Sequence, residues 1–118
     1  MVIHFLRLKV SPRDRSNAVR TIQSVIGPTM ARPACLACCL HSNVDNDDEL
    51  LLEQRWASRE SMDRYIASST YSNLLEGIEL ALEKPVVEFH QISSSKGIEH
   101  IEEIRHIAVV KDEKRAVS

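Results

Sequence analysis

The chain has no long apolar run, and so no stretch able to cross a membrane as a helix. It also has no excess of basic residues: 15 Lys and Arg stand against 17 Asp and Glu, a net charge of −2. Nucleic acid is thereby excluded as the main partner, because phosphate binding takes a concentrated basic surface. None of the five histidines falls in an HxH, HExxH or His-plus-acid arrangement at ligand spacing, so no metal is expected. Cysteine is scarce and odd in number. All three, Cys35, Cys38 and Cys39, lie in CLACCL, which reads as a buried strand rather than part of a disulfide framework. Strand alternation sends Cys35 and Cys38 to opposite faces, and leaves Cys35 and Cys39 on one face about 13 Å apart. They are expected as reduced thiols serving as small hydrophobes. The opening MVIHFLRLKV carries charges inside its apolar run and no small-residue cleavage site, so it reads as a strand and not a signal peptide. A cytoplasmic location is the expectation.

What is present is ordinary for one soluble domain: 118 residues, 43% hydrophobic and 27% charged. Val2 to Val10 alternates as a first strand, with Leu6, Leu8 and Val10 on one face and Ile3 and Phe5 on the other. Arg13 to Ile26 places Val19, Ile22, Val25 and Ile26 on one helical face, and Gly27-Pro28 is expected to stop that helix. Cys35 to His41 and Leu50 to Trp56 are strands flanking a polar turn, Asn43 to Asp48. Ser58 is the expected N-cap of a second helix that weakens at Ser68-Ser69, resumes through Leu74, Leu75, Ile78 and Leu82, and ends at Pro85. Val86 to Ile92 is a fourth strand.

The order is βαββαβ, which predicts an α+β, ferredoxin-like fold: a four-stranded antiparallel sheet with both helices on one face. Residues 1–93 form this body. Residues 94–118 form an extension packing on the body or on a partner, with Ile98, Ile101, Ile104 and Ala108 at helical spacing but enough β-branched residues to keep a strand open. The tail from Lys111 to Ser118 is expected to fray. The uncovered sheet face is expected to carry Val, Leu and Cys side chains, which a homodimer through that face would hide.

The densest chemistry lies in Leu50 to Ile78, where a strand ends on the only tryptophan and a helix begins two residues later. Trp56, Tyr65, Ser69 and Thr70 gather an indole, a phenol and hydroxyls at that junction, a setting for a small apolar pocket with a few polar handles. Each has a plainer role too: Trp56 as core filler, Ser68 to Thr70 as a helix kink. His4 and His90 fall on strands that neighbour each other in this topology and enter the candidate pocket as well.

The run from Leu6 to about Arg105 resembles the antibiotic-biosynthesis monooxygenase family. Ser11-Pro12 ends the first strand, Arg32-Pro33-Ala34-Cys35 stands where Pro-Gly-Cys is frequent, and Val44-Asp45-Asn46-Asp47 precedes the third strand. LLLEQRW leading into ASRESMDRYIAS is similar to the family's Glu-x-Trp followed by a helix with a His and a Ser. EFHQIS followed by GIEHIEEIR looks like the tail of one bacterial subgroup. The resemblance implies a dimeric α+β barrel that inserts oxygen from dioxygen into electron-rich aromatics such as quinols or anthrones, without flavin, haem or metal. The substrate would supply the electrons while the protein takes its proton and keeps the site dry.

Three departures stand out. Gln54 replaces a frequent Glu, Tyr65 stands where the helix usually carries His, and Thr70 where a second His is common. A tyrosine at its ordinary pKa of about 10 is protonated, so Tyr65 suits donation to an oxyanion better than proton abstraction. Two functions follow. The first is a cofactor-independent monooxygenase with Trp56 and Tyr65 as its catalytic residues and Ser69, Thr70, His4 and His90 in the pocket. The alternative is a non-catalytic small-molecule binding or stress-response protein on the same fold, having lost the histidine. A haem-handling relative is the weakest reading, since the Asn and His expected there are missing.

Overall fold

The computed structural model describes residues 1–117, with side chains described for residues 1–111. The elements run β1 (Val2–Lys9), α1 (Arg15–Met30), β2 (Cys35–Ser42), β3 (Glu49–Trp56), α2 (Arg59–Ile66), α3 (Ser69–Ile78), β4 (Val86–Gln91) and α4 (Glu99–Val117). The four strands form one antiparallel sheet in the order β2-β3-β1-β4, which is the ferredoxin-like arrangement. A single chain leaves this sheet open rather than closed into a barrel.

Strand alternation decides what each face carries. On β1, Val2, His4, Leu6 and Leu8 point toward the helices and are buried; on β3, Leu50, Leu52, Gln54 and Trp56 do the same. The helices cover that face through matching stripes, with Ala18, Ile22, Val25 and Thr29 of α1 and Tyr71, Leu74 and Gly77 of α3 buried. Close approach of α1 and α3 depends on Gly77, where an added Cβ would stand 3.1 Å from Thr21 Cγ2.

Several expectations are corrected. The first helix does not stop at Gly27-Pro28 but continues to Met30. Proline's fixed φ suits a helix, and the turn around it is kept by Ala31 N–H donating to the Gly27 carbonyl at 3.0 Å and Thr29 Oγ1 to the Val25 carbonyl at 2.6 Å. The last core helix ends at Ile78, not Pro85. Ala81 bridges to Val10 and Leu82 N–H donates to the Lys9 carbonyl at 2.7 Å, which draws the chain out of the helix and leaves Leu82 exposed. A bulge between Cys35 and Ala37 resets the strand's phase. Cys35 and Cys38 therefore oppose Trp56 and Gln54, two neighbours on one face, while Cys39 is exposed on the other.

The open sheet face is more polar than the Val, Leu and Cys surface expected from the sequence. Ile3, Phe5, Leu51 and Val86 are interleaved with ion pairs, Arg55 to Glu53 at 3.2 Å and Arg7 to Glu88 at 3.6 Å, because β1, β3 and β4 also place charged residues on that face, while β2 places Ala37, Cys39 and His41 there. The C-terminal segment is a helix, not a strand. Among the described residues it has no extensive contact with the other elements, and Ile101, Ile104 and Ile107 are exposed along it. The radius of gyration is 19.5 Å, against about 13–14 Å for a compact chain of this size. The tail expected to fray from Lys111 is helical backbone as far as Val117, and Ser118 lies outside the described residues. Among the described residues no helix is long and apolar enough to cross a membrane.

Candidate functional site

The sheet register assembles the site in two adjacent rows. One row reads Cys38, Gln54, His4, Phe89 across the four strands, and the next reads Cys35, Trp56, Val2, Gln91. All of these positions face the helices. Above them the chain is folded back by two caps. The Ser58 hydroxyl accepts from Ser61 N–H to start α2, and the Ser68 hydroxyl accepts from Tyr71 N–H to start α3. The break at Ala67-Ser68 re-aims the helix axis, so Tyr65 at the end of α2 and Tyr71 at the start of α3 converge edge to face, ring centroids 5.3 Å apart. Trp56 lies 4.8 Å from Tyr65, and His4 stacks on Phe89 at 4.4 Å.

Proton bookkeeping within this cluster is nearly complete. Gln54 Nε2 donates to Tyr65 Oη at 2.8 Å. Tyr65 Oη lies 3.2 Å from Thr29 Oγ1, whose own proton is committed to the Val25 carbonyl, so the phenol donates to Thr29. Tyr65 thus has its donor and one acceptor position engaged, and burial pushes its pKa up. It is held as a protonated, fixed phenol.

His4 is different. Its Nδ1 lies 3.3 Å from the Glu88 carbonyl oxygen, which can only accept, so Nδ1 carries the proton. Nε2 then presents a lone pair to Tyr71 Oη at 3.0 Å and accepts the phenol's proton. Burial lowers the His4 pKa below the usual imidazole range, partly offset by the Glu88 hydrogen bond. The imidazole is therefore neutral near pH 7 and able to take a proton. Burial also raises the Tyr71 pKa, so the resting pair is a neutral phenol on a neutral imidazole. Two buried polar atoms of the cluster lack partners, Gln54 Oε1 in the row of His4 and Trp56 Nε1 in the next. Each carries a cost of about 1–3 kcal/mol that a ligand group could relieve. Cys38 packs against the same row, its thiol pushed up to about 11 by burial and hence protonated.

The cluster itself is closed, with Trp56 and Tyr65 fully buried. Openings lie on either side of α2. One of about 330 Å³ is lined by Val2, Arg59, Met62, Asp63, Phe89 and Gln91. The other, about 170 Å³, is lined by Arg32, Pro33, Ala34, Trp56, Ser61 and Arg64. A third cavity of about 310 Å³, around Lys9, His41, Leu51 and Val86, opens on the far side of the sheet and contains none of the cluster residues.

The structure brings together Trp56, Tyr65 and His4 from the residues singled out in the sequence. His90 is not among them, because it pairs with Ile3 in register and so lies on the opposite face, exposed and 3.2 Å from Glu88. Ser69 is exposed at the start of α3 and Thr70 is half-buried. Sequence reasoning missed Tyr71, Thr29 and Phe89. Tyr71 follows Thr70 directly, but the break between α2 and α3 resets the helical phase, so spacing from Tyr65 does not reveal it.

His4 makes stability depend on pH. Its folded pKa lies below the unfolded value of about 6.5, so its contribution is intact above that value and falls as pH drops through the window beneath it. Thermal midpoints of the wild type are expected to decline between about pH 7 and 5 more steeply than those of a His4→Gln variant. Parallel curves would show that His4 does not fold neutral.

The sequence pattern of the antibiotic biosynthesis monooxygenase family matches residues 1–76. No curated protein matches the chain. Among solved structures, Rv0793 from Mycobacterium tuberculosis is similar at 26% identity and a TM-score of 0.74, over 81% of this chain and 98% of that one. A candidate antibiotic biosynthesis monooxygenase from Deinococcus radiodurans aligns with a TM-score of 0.77 at 14% identity, over 83% of this chain and 98% of that one, a likeness of fold. A conserved protein from Methanosarcina mazei Go1 shares the fold at 16% identity and a TM-score of 0.71, over 77% and 92% of the two chains. With the family pattern covering more than half its length, and a ferredoxin-like sheet carrying the Trp56 junction, the chain belongs to the antibiotic biosynthesis monooxygenase family.

Proposed function

We propose that the protein is a cofactor-independent monooxygenase for small electron-rich aromatics of the quinol or anthrone kind, with the His4–Tyr71 pair as its base. The observation that carries this reading is the orientation of His4. Its Nδ1–H is held by the Glu88 carbonyl and its Nε2 lone pair is aimed at the Tyr71 hydroxyl. A substrate hydroxyl hydrogen-bonded to Tyr71 Oη would pass its proton to Tyr71 as Tyr71 passes its own to His4, leaving an aromatic oxyanion. That anion is electron-rich enough to reduce dioxygen directly. For an anthrone-type CH2 the balance is CH2 + O2 → C=O + H2O, with the substrate supplying the electrons and the protons ending in water. Trp56 walls the substrate's space, and its free Nε1–H suits the developing oxyanion. Tyr65, tied to Gln54 and Thr29, fixes the orientation of both neighbours.

The alternative, a binding protein that has lost its histidine, rests on Tyr65 standing at the family's helix position. His4 supplies an imidazole to the same cluster from the sheet side, which favours turnover. Oxygen uptake on aerating the protein with reduced quinones and anthrones is expected above a buffer control. It should fall about a hundredfold or more in Tyr71→Phe and in His4→Gln. Thermal stabilisation by these compounds with no uptake would establish the binding protein instead.

We further propose a cytoplasmic homodimer through the open sheet face, with residues 94–118 reaching toward the partner. The apolar Ile3, Phe5, Leu51 and Val86 on that face and the unpacked α4 support it. Sedimentation should give twice the 13.4 kDa chain mass, and Leu51→Glu should give the monomer. A monomeric wild type would contradict it.

A further inference from the structure

We infer that the opening beside Trp56 is an anion-binding subsite that takes the carboxylate of a small aromatic acid. The lining residues make the case through what their side chains offer. Arg32 holds its guanidinium carbon 5.5 Å from the centroid of the Tyr65 ring, and among the described residues it has no carboxylate partner. Arg64 likewise has none; it donates one N–H to Ser61 Oγ at 3.1 Å and keeps the rest of its fork. Ser61 Oγ accepts that bond and a second from Ser58 Oγ at 3.0 Å, so both its lone pairs are used and its own O–H is left to donate. Trp56, fully buried, contributes its indole to the wall of the same opening.

Every polar side chain lining this opening is therefore a donor, and two of them are cationic. That is the chemistry of an anion site, and the planar guanidinium fork matches a carboxylate. Of the acidic side chains of α2, Asp63 lies 3.8 Å from Arg59 and lines the other opening, and Glu60, four residues before Arg64, forms no ion pair with it among the described residues. Pro33, Ala34 and the Trp56 indole supply the apolar remainder. A volume of about 170 Å³ is close to the roughly 150 Å³ cavity that accepts benzene, so one aromatic ring is the scale of the occupant. The subsite opens beside the cluster through Trp56, whereas the wider opening reaches it past Phe89 and Met62 on the far side of α2. The inference names a substrate class for the site proposed above and rests on that reading for its catalytic consequence. Binding itself is measured without turnover.

Trp56 is the only tryptophan, so its fluorescence reports ligands that reach the indole, and the arginine variants separate this opening from the Tyr65 side of the ring. Benzoate should give a saturable change. Benzamide, its neutral counterpart, and acetate, which lacks the ring, should bind about tenfold more weakly or worse. Arg32→Gln and Arg64→Gln should each weaken benzoate by a similar factor while keeping a cooperative thermal transition, with Arg64→Gln leaving the midpoint unchanged. Equal responses to benzoate and benzamide, or undiminished benzoate binding in the double variant, would overturn the subsite. Benzoate binding by a protein that consumes no oxygen would uphold the subsite and remove the oxygenase reading. Uptake with neutral quinols and no preference for benzoate would do the reverse.

Discussion

The structure turns on a histidine that burial keeps neutral at rest and leaves free to take a proton. His4 lies in the central strand of the sheet, stacked on Phe89 and beneath Tyr71, with a carbonyl on one ring nitrogen and a phenol on the other. A carbonyl oxygen cannot donate, so the tautomer is set by the backbone of β4 rather than by any side chain. Everything else in the cluster follows from keeping that ring neutral and oriented. Tyr71 is fixed by the cap that starts α3, and Tyr65 by Gln54 and Thr29, so neither phenol competes for the other's partner.

Position in the sheet explains why the base belongs on β1. A residue in a central strand has its neighbours on both sides determined by register, here Gln54 on one side and Phe89 on the other. On α2, a short helix capped by Ser58 and ended at Ala67-Ser68, Tyr65 owes its position to the hydrogen bonds its hydroxyl makes with Gln54 and Thr29. The division of labour is physical. The sheet fixes the proton acceptor, while α2 stands between two openings and carries Met62 and Tyr65 over Trp56.

Much of the fold was legible because strand alternation and helical stripes are strong local signals. The faces of β1 and β3, the Ser58 cap and the break near Ser68 all follow from residues close in sequence. The features that were not legible depend on long-range pairing. The bulge at Cys35/Ala37 depends on β3, the early end of α3 on a bridge to Val10, and the separation of His4 from His90 on register with β4. The extension of α1 past Gly27-Pro28 brings Thr29 under Tyr65, a contact between residues 36 positions apart that no local pattern announces. Of the site, Trp56, Tyr65 and His4 could be picked out by residue type. Tyr71 could not, because only the folded turn between α2 and α3 places it over His4.

The central claim is the protonation state of one ring. Nitrogen-15 chemical shifts of the His4 imidazole, correlated to its ring protons at neutral pH, read both nitrogens directly. The account predicts a neutral ring with the proton on Nδ1 and a bare Nε2, shifted by hydrogen bonding from Tyr71 and altered in Tyr71→Phe. An imidazolium, or a ring protonated on Nε2, would contradict it.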